Sequence, residues 1–243
     1  MQEGPINEIS YYFPALQIQS FMEHLQASET YEDQYMGPIE EKIVVMTHDD
    51  QFDREMFKIE SDNGFQSTWF LLDTQMNDDI PESADTQIHL NKETGTFSEQ
   101  INRFNERFGF EPIFNRNHRL LWRANNFDFP FMALNGILAD STLIGTRPFR
   151  PVINGKIMPI WELPFCITDK SDRFMASYSV AGDYETPFRE GLSPIVILSH
   201  PFDVCKRYSL ESCFWECLKR TQKYNYKMMS MSDFYNKFLK PQI

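Results

Sequence analysis

From Lys42 onward the chain alternates short apolar runs with longer stretches whose apolar residues recur at helical spacing. Ile43–Thr47 is a continuous run of β-branched and other apolar residues and reads as a buried strand, with Asp53–Asp62 as the helix after it. Ser67–Leu72 reads as a second strand, Asp73–Asp85 as a polar loop and Gln87–Leu90 as a short strand. Phe97, Ile101, Phe104 and Phe108 fall three or four apart, so Phe97–Phe108 is predicted to be an amphipathic helix. Pro112–Phe114 reads as a strand leading into Asn115–His118, and Phe129–Asn135 as a helix closed by Gly136. Lys156–Leu163 and Pro194–Ser199 are predicted strands, Ser209–Tyr224 a helix, and Ser232 the cap of a last helix through Leu239. Residues 1–41 show no clear period; they are expected to form an extension packed on a domain spanning 42–243. Strand–helix alternation over roughly 200 residues argues for a parallel α/β barrel or a doubly wound sheet.

Composition narrows the partners. A net charge of -12 over 243 residues makes a nucleic-acid backbone or an anionic membrane surface an unsuitable target. No run is long enough to span a bilayer, and the polar, acidic start Met1-Gln2-Glu3-Gly4 lacks the pattern of a signal peptide. Cys166, Cys205, Cys213 and Cys217 include no CxxC pair, so packed, reduced thiols and a cytoplasmic setting are expected.

The first strand delivers two adjacent carboxylates, Asp49 and Asp50, at its C-terminal end. Active sites of α/β folds collect at such ends, and neighbouring Asp residues there can divide the work of metal ligand and proton acceptor. The bland alternative is that the pair caps the next helix. His200 ends an apolar strand, and His118 follows another; each could equally be a satisfied strand-end or loop histidine. His24, His48 and His89 fall in no motif, and His48 is expected to pack beside the strand end.

Five segments stand in order: Thr47-His48-Asp49-Asp50, Arg116-Asn117-His118-Arg119-Leu120-Leu121-Trp122, Gly145-Thr146-Arg147-Pro148-Phe149, Trp161-Glu162-Leu163-Pro164 and Leu198-Ser199-His200-Pro201. Their order and spacing resemble the five motifs of the polysaccharide deacetylases (carbohydrate esterase family 4, the NodB homology domain), over roughly Ile43 to the C-terminus. The resemblance implies a distorted (β/α) barrel of about seven repeats that removes an acetyl group from an N- or O-acetylated sugar with the help of a divalent metal, zinc by preference. It implies Asp49 as base, Asp50 and His118 as metal ligands, and His200 as acid. It implies Arg147 as the group that orients and charge-pairs the base, and Trp161, Leu198, Trp122 and Phe149 as walls of the substrate pocket. Arg150 also precedes a proline, which makes the arginine motif ambiguous.

Two departures stand out. Trp122 occupies the place of a second histidine, so the third protein ligand is not identified; Asn115, Asn117 and Asp53 are the neighbouring candidates, although a neutral amide is a poor zinc ligand. Gln51 stands where a glycine is usual. Three functions therefore stay open: an acetylated sugar or glycan as substrate, a catalytically inactive fold that binds a glycan or protein partner, and an amidase or cyclic-imide hydrolase on the same scaffold. The sequence leaves the oligomeric state open.

Overall fold

The structure, a computed structural model, describes residues 34–74, 80–121, 128–169, 184–201 and 213–242. Expectations placed on residues 1–33, on Trp122, on Cys205 and on residues 209–212 lie outside these. In chain order the strands are β1 (Ile43–Asp50), β2 (Thr68–Leu71), β3 (Asp85–Leu90), β4 (Phe114–Asn117), β5 (Ala139–Asp140), β6 (Val152–Ile153), β7 (Lys156–Ile157), β8 (Trp161–Glu162), β9 (Ile167–Thr168), β10 (Ile195–Ser199) and β11 (Lys227–Met229). The helices are α1 (Arg54–Asp62), α2 (Phe97–Phe108), α3 (Asp128–Leu134), α4 (Thr186–Arg189), α5 (Cys213–Lys223) and α6 (Met231–Phe234), the last continuing as a wider π turn over Tyr235–Leu239.

The main sheet runs β8-β5-β4-β3-β2-β1-β10-β9, every neighbour parallel, with β11 joined to the start of β1. It is curled. Trp161 and Leu163, near one end of that order, share a buried cluster with Val196 and Leu198 near the other. Met231, Phe234, Tyr235 and Leu239 join the same cluster, so the C-terminal helix packs on this inner face. The outer face is covered on one side by Met56 of α1 with Phe214 and Leu218 of α5, and on the other by α2 and α3. This is the distorted (β/α) barrel, and the doubly wound alternative is set aside.

Local chemistry explains the helix boundaries. The Asp53 carboxylate accepts from Met56 N and caps α1, so neither Asp49 nor Asp50 performs that task. Thr96 and Glu99 form a reciprocal capping box on α2, and Gly109 closes it at φ 76°. Burial of Phe97, Ile101 and Phe104 on its inner stripe contributes about 1.5–3 kcal/mol per side chain.

Four expectations shift. β4 begins at Phe114 and includes Asn115–Asn117, because Gln87 Oε1 accepts from both Ile113 N and Phe114 N and starts the ladder there. The predicted strand Lys156–Leu163 is two elements, β7 and β8; β7 pairs back with β6 in a hairpin turned by Asn154 and Gly155 at positive φ. β5 and β11 were not foreseen. The last helix is capped by Ser230, whose hydroxyl accepts from Asp233 N, and not by Ser232, which donates to Asp85. Cys166 and Cys217 are buried thiols outside any disulfide, and burial pushes the Cys166 thiol up to about 12, so Cys166 is an inert packing group.

Candidate functional site

Strand parity assembles the site. Side chains alternate across a strand, so Ile43, Val45, Thr47 and Asp49 share the inner face of β1. By the same rule Gln87 and His89 face inward from β3, Phe114 and Arg116 from β4, and Leu198 from β10, with His200 just past its end. His48 has the opposite parity and packs on the outer face, its ring 4.3 Å from Trp69 and its Nε2 2.6 Å from Glu60 Oε1.

Asp50 departs from the alternation. Its φ is 75°, a left-handed conformation that costs a non-glycine residue about 1–3 kcal/mol and concentrates at functional sites. Gln51 N donates to Asp49 O across this kink, so the chain takes a tight path where a glycine was the usual residue. The kink turns the Asp50 carboxylate into a ring of imidazoles. His89 Nε2 is 3.4 Å and His118 Nε2 3.6 Å from its Oδ1, while His200 Nε2 is 3.9 Å from its Oδ2. Exposure falls from 33% for the Asp50 side chain through 18% for His118 and 12% for His200 to 2% for His89, so the cluster opens on its Asp50 side.

Asp49 lies deeper and is held by Arg116, whose Nη1 donates to Asp49 Oδ1 at 2.8 Å. Arg116 is wholly buried. Its Nε donates to Ser141 O, its Nη1 also to Thr47 Oγ1, and its Nη2 to Ser141 Oγ, while Phe70 and Phe165 cover the guanidinium at 4.7 and 5.7 Å. Asp49 Oδ2 is left facing His89 Nε2 at 3.9 Å. His200 is fixed by Asp169, which accepts from its backbone N–H at 2.5 Å and from its Nδ1 at 2.8 Å.

Charge and burial set the protonation states. Burial alone would raise the Asp50 carboxyl; interaction with His89, and then the charges of His89, His200 and His118, outweigh it and hold Asp50 well below the ordinary carboxylate range. Burial, and after it the neighbouring His89, depresses His118 to about 4, against a smaller upward pull from Asp50. His118 is therefore a neutral imidazole at neutral pH, with a lone pair to offer.

The structure thus brings together Asp49, Asp50, His118 and His200, and leaves other expected residues elsewhere. Arg147 does not pair with Asp49. It donates to Met36 O and lies 4.8 Å over the Tyr35 ring, because residues 34–36 and 148–150 run as antiparallel strips along the open edge of β8. Phe149 belongs to that edge, bridging Tyr35 and Glu162. Trp161 is level with Ala139 and Phe114, one inward layer below Arg116, and is 1% exposed, which makes it core. Leu198 is also buried, level with Thr47, directly below His200. Asn115 is committed to Asp140 and Asn117 to Leu121 O.

Three participants escaped sequence reasoning. Arg116 stood inside a quoted motif at the same parity as His118, which was a usable signal. Asp169 follows the short apolar β9. His89 carried no local signal, since its partners come from other strands.

A metal is what the family pattern implies, and the donors fit one. Asp50, His89 and His118 each present a ligand atom, all within 4.8 Å of one another, and the buried Asp50 Oδ1 has no hydrogen-bond partner.

No family model and no curated protein matches the chain in sequence. Among solved structures it is similar to a protein from Mycobacterium smegmatis assigned to the polysaccharide deacetylases, at 14% identity and TM-score 0.58, over 88% of this chain and 96% of that one. Bc1960, a peptidoglycan N-acetylglucosamine deacetylase, matches at 14% identity and TM-score 0.49, over 82% and 90%. BA3943, a CE4 family pseudoenzyme from Bacillus anthracis, matches at 10% identity and TM-score 0.47, over 82% and 67%. The fold is that of the polysaccharide deacetylases. Among the described residues, no helix is long and apolar enough to cross a membrane.

Proposed function

We propose that this chain is a divergent polysaccharide deacetylase, a metal-dependent hydrolase that removes an acetyl group from an N- or O-acetylated sugar or glycan precursor. The observation that carries the reading is the placing of two differently held proton-transfer groups around one cluster of metal donors. Asp49 lies against His89, and His200 against the far oxygen of Asp50.

Asp50 and His118 would hold a divalent ion, zinc by preference, which supplies polarisation of the acetyl carbonyl and acidification of water. Asp49 then serves as base. Arg116 occupies its Oδ1, so Oδ2 is the atom that takes the proton. His200 serves as acid. Asp169 engages Nδ1, so Nε2 is the atom that gives a proton to the leaving nitrogen or oxygen. Arg116 fixes the base without touching substrate, the task the motif pattern had assigned to Arg147.

Paired substitutions test this. Asp49→Asn should abolish acetate release from acetylated oligosaccharides while the metal content stays near that of wild type. Asp50→Ala should lose both. Equal acetate release by Asp49→Asn and wild type would rule Asp49 out as the base.

A further inference from the structure

We propose that His89, on β3, is the third protein ligand of the metal centre, supplying from a neighbouring strand the donor that the motif around His118 lacks. The inference rests on the metal-dependent reading above.

Three observations converge on it. The first is spacing. Donors around a tetrahedral zinc at about 2.0–2.1 Å stand roughly 3.4 Å apart. His89 Nε2 and His118 Nε2 are 3.4 and 3.6 Å from the same oxygen, Asp50 Oδ1. The second is the tautomer. His89 Nδ1 is 2.8 Å from Arg116 O, and a carbonyl can only accept, so Nδ1 carries a proton and Nε2 is the ring nitrogen left to face Asp50. The third is rigidity. His89 is 2% exposed, it pairs in register with Arg116, and Leu90 N donates to Asn115 Oδ1, so the imidazole is locked to β4. Its second nitrogen faces a buried carboxylate oxygen beside another imidazole, and these three donor atoms lie within 4.8 Å of one another, close enough for one cation to join them.

Arg116 then links the two halves of the site. Its carbonyl orients a metal ligand and its guanidinium orients the base. The ligands come from β1, from β3 and from the end of β4, so the centre exists only when these strands are in register. The missing second histidine, the best support for an inactive protein, loses its force.

The test is cobalt(II) titration of the metal-free full chain, followed by visible absorption, for wild type, His89→Ala, His89→Gln and His118→Ala. Wild type should bind one equivalent. His89→Ala and His118→Ala should each weaken binding by about 100-fold or more, since even outer partners of ligands are worth 10–100-fold. Added imidazole should restore part of the His89→Ala loss. Melting of the metal-free variants checks the fold. In wild type, long-range 1H–15N spectra should show His89 Nε2 shifting on addition of zinc. Wild-type affinity in both His89 variants, or an unmoved His89 Nε2 while zinc binds, would overturn the assignment and leave the deacetylase reading standing; His89 would then be a counter-ion of Asp50. A wild-type chain that takes up neither metal overturns both.

Discussion

Replacing Arg116 with methionine probes the fold and the site at once. The guanidinium is wholly buried, and at 2.8 Å from Asp49 Oδ1 the Coulomb attraction is about 6 kcal/mol at an effective dielectric of ~20. Much of that is offset by desolvation of the two charges, so the measurable quantity is the loss on breaking the pair, about 3–5 kcal/mol for a buried charge left alone. Ser141 O and Thr47 Oγ1 also lose a donor. At about 2–4 °C per kcal/mol for a chain of this size, Arg116→Met should lower Tm by roughly 6–20 °C. Size alone would not identify the cause, so the assay is a double-mutant cycle in urea with Asp49→Asn. If Asp49 is the group left uncompensated, the second substitution should recover about 2–3 kcal/mol of the loss. A coupling energy near zero, or a single-variant loss under ~1 kcal/mol, would refute the claim that Arg116 holds Asp49.

Two other perturbations separate roles within the molecule. Asp169→Asn should lower kcat about 10²–10⁴-fold, the range of general acid–base catalysis, with metal content unchanged; unchanged kcat would remove Asp169 from the positioning of His200. Asp140 and Glu162 are wholly buried side by side on the outer face; burial raises both carboxyls, and the charge of Asp140 raises Glu162 further. A carboxyl raised in the folded state contributes stability that is complete below its unfolded value of 4.5 and is lost as pH climbs through the folded value. Urea stability should therefore decline with rising pH by up to about 1.4 kcal/mol per pH unit from this proton, and Glu162→Gln should flatten the decline. Equal slopes in both proteins would show that Glu162 does not hold this proton in the folded state.

Much of the fold was legible where local chemistry decides it. The β-branched run of β1, the capped helix at Thr96 and the glycine closing α3 each carry their own signal. What stayed hidden was decided by partners distant in sequence. β5 is two residues long and exists only because Ala139 and Asp140 find β4 on one side and β8 on the other. Asn154-Gly155 was a readable hairpin turn just before the segment that had been predicted as one strand.

The site divides in the same way. Asp49, Asp50 and His200 end apolar strands and could be read one at a time. The pairing of Asp49 could not, because a proline-flanked arginine at 147 and a strand arginine at 116 look alike until parity and register are known. His89 was hidden for a physical reason: the second histidine was sought along the chain near His118, whereas His89 meets His118 across the sheet.

The most direct test of the central claim is acetate release from an N-acetylated oligosaccharide before chelation, after chelation and after return of zinc. The account expects activity that vanishes on chelation and returns with the ion. Acetate release indifferent to chelation, or none from any acetylated sugar by the metal-loaded protein, would contradict it.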